Sequence, residues 1–153
     1  MLGRIGTIVA LAGSGCAAKR ACLEAAPSHA EPSTLIAADL TCLQSFTWNP
    51  PGDARGVVVV VHGIRDHATR YDLLATTLAD HGFAVTAADL RGHGSSGGRR
   101  QRFDAMDQLV ADLDLVVTQA RDAHPGAPVF VYGHSLGGLI TTHHALQHAA
   151  GLS

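Results

Sequence analysis

Five consecutive valines, "VVVVV" at residues 57–61, constrain this chain more than any other stretch. β-branched side chains favour extended backbone, and five in a row leave no polar face to turn toward water. A strand apolar on both faces must be covered on both, which is the condition of a parallel strand flanked by helices. The sequence supplies those helices in alternation with further strands. Tyr71, Leu74, Ala75 and Leu78 fall on one side of a helix that Gly82 can end in the left-handed conformation. "FAVTAA" (83–88) reads as the next strand. After a glycine-rich loop, Met106, Leu109, Val110, Leu113, Val117 and Ala120 repeat at helical spacing up to His124, where Pro125 and Gly126 stop the helix. "VFVY" (129–132) is a third central strand, and "SLGGLITTHHALQHAA" a last helix with apolar residues at 136, 139, 140 and 146. This order predicts a right-handed parallel α/β sheet with the valine strand in its middle and the active site at the carboxyl ends of the strands.

The remaining sequence sets the boundaries of that unit. With 153 residues, one domain is expected. Hydrophobic residues make up 46%, charged ones 16%, and the net charge is −2. Such a balance points away from disorder and from nucleic acid, and toward a small-molecule partner. No apolar run approaches the roughly 20 residues a bilayer-spanning helix needs. "LIAADLTCLQSFTW" (35–48) reads as two short strands turning at Ala38 and Asp39, closed by "NPPGD".

The N-terminus has its own logic. Arg4, an apolar stretch from Ile5 to Ala12 and then small residues form the order of a secretory signal peptide. The segment also resembles a bacterial lipoprotein signal, with Cys16 as the lipidated residue and a lipid anchor to the membrane as the consequence. It departs from that pattern at Gly13, where leucine is usual, while Leu11 comes two residues early. A plain cleaved signal ending near Ala18 and a cytoplasmic N-terminus are the competing readings. We therefore expect a signal over residues 1–16, a linker over 17–33, a partial α/β domain over 34–153, and an exported, envelope-bound protein. Cys22 and Cys42 either pair in an oxidising compartment or stay free, and a small buried thiol is ordinary in a strand.

Two serines match G-x-S-x-G. Ser96, in "GSSGG", follows a loop and precedes "RRQR", so no strand delivers it into a helix. Ser135, in "VYGHSLGG", has a strand before it and a helix after it, the sharp turn that exposes a nucleophilic hydroxyl, with Gly133 and Gly137 relieving the crowding. An attacked carbonyl also needs donors for its oxyanion. Those expected are the backbone N–H of Leu136, at the helix start, and that of Ile64, in the "HGIRDH" loop after the valine strand.

"VVVVVHGIRDHATRYDLLATTLADHGFAVTAADLRGHGSSGG" followed by "HPGAPVFVYGHSLGG" resembles the α/β-hydrolase superfamily, nearest its monoacylglycerol lipase and lysophospholipase branch, which is grouped with the serine aminopeptidases. The resemblance implies the N-terminal half of the α/β-hydrolase fold, ending after the elbow helix. It implies Ser135 as nucleophile, Ile64 and Leu136 as oxyanion donors, an acyl ester as substrate, and no cofactor. In that superfamily the catalytic acid and then the histidine follow the serine along the chain. Residues 136–153 contain no Asp or Glu, and His143, His144 and His148 lie on a helix leading away, the nearest roughly 12 Å off by helical rise.

His62, His93 and His134 fit structural roles, as do Asp66 and Asp89. His144 and His148 stand at the i, i+4 spacing of half a zinc site. "HALQH" lacks the glutamate of H-E-x-x-H and places no third ligand, so no metal is expected. The chain reads as the front half of a serine ester hydrolase, nearly inert alone. Loss of a triad histidine costs about 10⁶ in turnover, roughly 8 kcal/mol of barrier. The alternatives are a non-catalytic binding or interaction module, or one half of a split enzyme completed by a C-terminal polypeptide. "VFVY" would then form an exposed apolar edge.

Overall fold

A computed structural model of the chain describes Pro27 and residues 29–149. The segment read as a signal, with Cys16 and Cys22, lies outside the described residues. Five strands form one sheet in the order β1-β2-β4-β3-β5: β1 (Glu31–Ile36), β2 (Cys42–Trp48), β3 (Gly56–Val61), β4 (Phe83–Ala88) and β5 (Val129–Gly133). Three helices connect or follow them: α1 (Asp72–Asp80), α2 (Met106–Ala123) and α3 (Leu136–Ala149). β3 runs parallel to β4 on one side and to β5 on the other, so the valine strand is internal. The sheet is mixed, because β1 and β2 pair antiparallel with each other and β2 antiparallel with β4. A five-residue turn makes β1 and β2 a hairpin, and a hairpin adds antiparallel strands without a crossover helix. β1 begins at Glu31, inside the stretch read as linker.

The valines divide between two cores. Val57, Val59 and Val61 pack with Leu109, Leu113 and Val117 of α2 and Ile140 of α3. Val60 turns the other way, with half-buried Val58 beside it, onto Phe46, Trp48, Val85 and the α1 residues Ala75 and Ala79. Alternation along one strand thus binds helices to both faces, and a polar residue at any of these positions would open one layer.

The helices follow the periodicity with two exceptions. Tyr71 sits in a 3-10 turn, Ala68–Tyr71, ahead of α1 rather than within it, and Gly82 ends the segment at φ +86°. In α3 only Ile140 of the expected apolar face is fully buried, whereas Leu139 and Leu146 are exposed, the latter at 68%. α3 meets β5 and α2 along one narrow stripe, and among the described residues nothing covers its outer side. No described helix is long and apolar enough to cross a membrane.

A buried ion pair ties the loop after β4 to α2. Arg91 donates through Nε and Nη2 to both carboxylate oxygens of Asp112, each at 2.7 Å, and through Nη1 to Asp39 at 2.7 Å in the hairpin turn. Asp112 is buried while Asp39 is half exposed. The hydrogen bond from Arg91 holds the Asp39 carboxyl down at about 2, and both carboxylates raise Arg91 further above its ordinary value. Asp112→Ala strands the guanidinium and should cost about 3–5 kcal/mol. Asp39→Asn should cost under about 1 kcal/mol, because water screens that pair. A depressed carboxyl stabilises above its unfolded pKa. The Asp39→Asn difference in urea midpoint should therefore be full above about pH 4 and vanish as the pH falls through about 2.

Candidate active site

The register of β3 on β5 fixes where the site falls. Val61 pairs with Gly133 at the carboxyl ends of the two strands, so the loops leaving them start side by side. His134 N–H donates to the Val61 carbonyl at 3.0 Å, extending the contact by one residue. The chain then turns sharply at Ser135, whose φ of +54° is left-handed. That conformation costs a non-glycine residue about 1–3 kcal/mol and persists only where the surroundings impose it. α3 starts at the next residue, and Ser135 stands exposed above the sheet.

Close packing leaves no room for side chains beside the turn. A Cβ on Gly133 would stand 2.5 Å from the Gly137 carbonyl oxygen, and one on Gly137 would overlap the carbonyl oxygen of Val61. Leu136, the first residue of α3, has an N–H with no intrahelical acceptor, at the positive end of the helix dipole. The Ile64 loop reaches the same place. A Cβ built on Gly63 would meet the Ser135 Cβ and His134 Nδ1 at 3.2 Å each. Ser135, Leu136 and the Ile64 loop are therefore neighbours. Arg65, directly after Ile64, is also left-handed at φ +60°, a strain that nothing in "HGIRDH" announces.

His62, His93, Asp66 and Asp89, near the turn, are engaged elsewhere. His62 donates from Nδ1 to the Gly63 carbonyl at 2.7 Å and accepts the Leu90 N–H on Nε2 at 2.9 Å, which defines its neutral tautomer. Burial lowers its pKa. His93 bonds the Arg91 carbonyl through Nδ1 and packs edge-on against His62. Asp89, fully buried, accepts the Ala68 N–H on one oxygen and the Ser95 N–H on the other, both at 2.7 Å. Ser96 donates to the Asp89 carbonyl at 2.6 Å and accepts the Gln44 N–H at 2.9 Å, a buried hydroxyl used twice. Asp66 accepts from the His67 N–H and the Tyr71 hydroxyl. Cys42 is buried and free. Among the described residues, no histidine or carboxylate hydrogen-bonds the Ser135 hydroxyl. His144 and His148 face Asp114 of α2 instead, a third potential ligand that sequence spacing could not place.

A mixed sheet, a strained serine between strand and helix, and an adjoining amide-bearing loop define an α/β-hydrolase. A carboxyl esterase from Bacillus coagulans, solved with glycerol, shares the fold with a TM-score of 0.70 over 82% of this chain and 42% of that one, at 24% identity. The sequence profile of the serine aminopeptidase (S33) family matches residues 52–153, and the chain belongs to that family. A monoacylglycerol lipase of Mycolicibacterium smegmatis is 44% identical over 91 residues, covering 60% of this chain and 32% of that protein. Human monoglyceride lipase is 37% identical over 106 residues, covering 69% of this chain and 35% of that protein. Family and relatives together mark a lipase- and esterase-type α/β-hydrolase, monoacylglycerol lipase-like in sequence. The chain spans about a third of the length of these two relatives.

The elbow packing gives a paired test. Gly137→Ala should destabilise by at least about 1–3 kcal/mol, since its methyl would meet backbone that cannot move away. Gly138→Ala, whose methyl would find its nearest neighbour at 3.4 Å, should stabilise by roughly 0.5–1 kcal/mol through helix propensity. Urea unfolding of the two variants reads the difference, and equal effects would remove the close approach from the account.

Proposed function

We propose that the chain carries the nucleophile and oxyanion-binding half of a serine ester hydrolase acting on monoacylglycerol-like or lysophospholipid-like acyl esters. The observation that carries this reading is Ser135, exposed and left-handed between a strand end and a helix start. Its Oγ attacks the ester carbonyl carbon while its proton passes to a base. The carbonyl oxygen becomes an oxyanion to which the Ile64 and Leu136 N–H groups donate. Collapse expels the glycerol alcohol, which takes up the proton, and leaves an acyl-serine. Water then attacks the acyl-serine, frees the fatty acid and restores Ser135. The base and its orienting acid come from outside the described residues. The ester class is supported by the relatives' own activities, lipase reactions on monoacylglycerol.

One observation favours a second reading, a non-catalytic module or one half of a split enzyme. Among the described residues β5 is one of the two edge strands of the sheet, and Phe130 and Tyr132 on it are 52% and 46% exposed. A second polypeptide adding a strand there would cover an edge that otherwise templates aggregation.

Fluorophosphonate labelling separates the two. The chain expressed together with the coding sequence that follows codon 153 should be labelled at Ser135, and Ser135→Ala should abolish the label. The 153-residue chain alone should react at least about 10³-fold more slowly, since no described histidine or carboxylate bonds the Ser135 hydroxyl. Absence of label in every form, from a folded and monodisperse protein, would leave the module reading.

We also propose that the N-terminal segment exports the protein to the cell envelope with Cys16 as lipid acceptor, supported by Arg4 and the apolar stretch after it. Palmitate labelling in the producing cell should mark the wild type and spare Cys16→Ser. Label on neither would favour a cleaved signal or a cytoplasmic protein.

A further inference from the structure

On the face of the sheet that carries α2 and α3, Asp114, His144 and His148 bring three ligand atoms within 4.8 Å of one another. The two imidazoles belong to α3 at i and i+4, so they project from one side of that helix on successive turns. The carboxylate belongs to α2, the helix α3 packs against. His144 Nε2 lies 3.4 Å and His148 Nε2 3.3 Å from the same oxygen of Asp114, Oδ1. As N–H···O hydrogen bonds these are long, the usual range ending near 3.2 Å. They match another geometry well. Nitrogen and oxygen ligands about 2.0–2.1 Å from a tetrahedral zinc ion stand about 3.3–3.4 Å apart.

We propose that Asp114, His144 and His148 form a three-ligand site for a divalent transition-metal ion of the zinc class, which clips α3 to α2. Two imidazoles and one carboxylate suit a borderline ion such as Zn²⁺ and do not suit calcium or magnesium, which take oxygen ligands throughout. Burial, and then the neighbouring His148, lower the His144 pKa, which favours the neutral imidazole that binds metal. The imidazole rings lie 4.2 Å apart between centroids, close enough that two protonated rings would repel. The opposing influence is Asp114, whose hydrogen bond and negative charge raise the His144 pKa, while the positive charge of Arg121 on α2 adds to the lowering. His148 is half exposed and supplies the entry path, while the fourth coordination position stays open to water. The ion would act on structure rather than chemistry. α3 begins at the strained Ser135 turn, and a cross-link two to three turns farther on holds that helix against α2.

The test uses the tag-free chain stripped with a chelator and titrated with Zn²⁺ against a chelating dye, with Co²⁺ as spectroscopic stand-in. One ion per chain, a visible Co²⁺ spectrum of tetrahedral intensity and a zinc-dependent rise in thermal midpoint are expected. His148→Ala removes an exposed ligand without touching the core, and should weaken binding by well over the roughly 10-fold that loss of even an outer-shell partner causes. It should also abolish the thermal shift, as should Asp114→Asn. His143→Ala, exposed and one residue from the site, should change neither. Zinc binding that is undiminished in both His148→Ala and Asp114→Asn, or absent from the wild type, would overturn the site.

Discussion

The contact on which the candidate site depends is backbone against backbone. Gly137 lies against the carbonyl of Val61 with no space for a methyl group, and His134 donates to that same carbonyl. One oxygen at the end of β3 therefore meets both the strand-to-turn step and the first turn of the helix that follows. Such packing is tolerable only with glycine at 137, and it forces the intervening residue, Ser135, into a left-handed conformation. The strain at Ser135 is imposed by neighbours whose own burial is favourable, and in that sense the two valine cores hold the serine in place. The same geometry puts the Leu136 amide and the Ile64 loop beside the hydroxyl, because both loops leave paired residues of adjacent parallel strands.

That arrangement presupposes the two-sided β3. Odd-numbered valines hold α2 and α3, and Val60 holds α1 and the β2 aromatics, so neither layer can slip without shifting the register that pairs Val61 with Gly133. Around this frame the polar groups near the site serve as fasteners. Asp89 joins the start of the Ala68–Tyr71 turn to the loop after β4. Arg91 joins that loop to α2 and the hairpin, and His62 bridges the Ile64 loop to Leu90. Each sits in a loop at the carboxyl ends of the strands, where the backbone lacks a ladder to satisfy it.

Much of this was legible in the residues. The limits of β4 and α2 follow from β-branched runs, helical spacing and stop signals. The choice of Ser135 over Ser96 follows from strand-before and helix-after context, and the buried, doubly bonded Ser96 hydroxyl gives the physical counterpart. What was not legible depends on distance through space. Nothing in the spacing of Asp39, Arg91 and Asp112 links them, since they lie on a turn, a loop and a helix separated by 52 and 21 residues. Asp114 is likewise 30 residues from His144 and meets it only through helix packing. The exposure of Leu139 and Leu146 was hidden for a different reason: helical periodicity reports which residues share a face, not whether anything lies opposite that face.

The absence of a described base beside Ser135 and the open edge of β5 are connected by topology. β5 leads into the serine at its carboxyl end and, among the described residues, has no strand paired along its outer side. A strand added there would run beside the elbow, so the loop leaving its carboxyl end would start next to Ser135, as the Ile64 loop does on the β3 side. The β5 edge left unpaired among the described residues is thus adjacent to the place where the proposed reaction puts its proton acceptor. One polypeptide segment pairing parallel to β5 would cover that edge and bring the loop that follows it to the serine. An antiparallel partner would reverse the arrangement, setting the loop that precedes it beside the serine and the loop that follows it at the far end of β5.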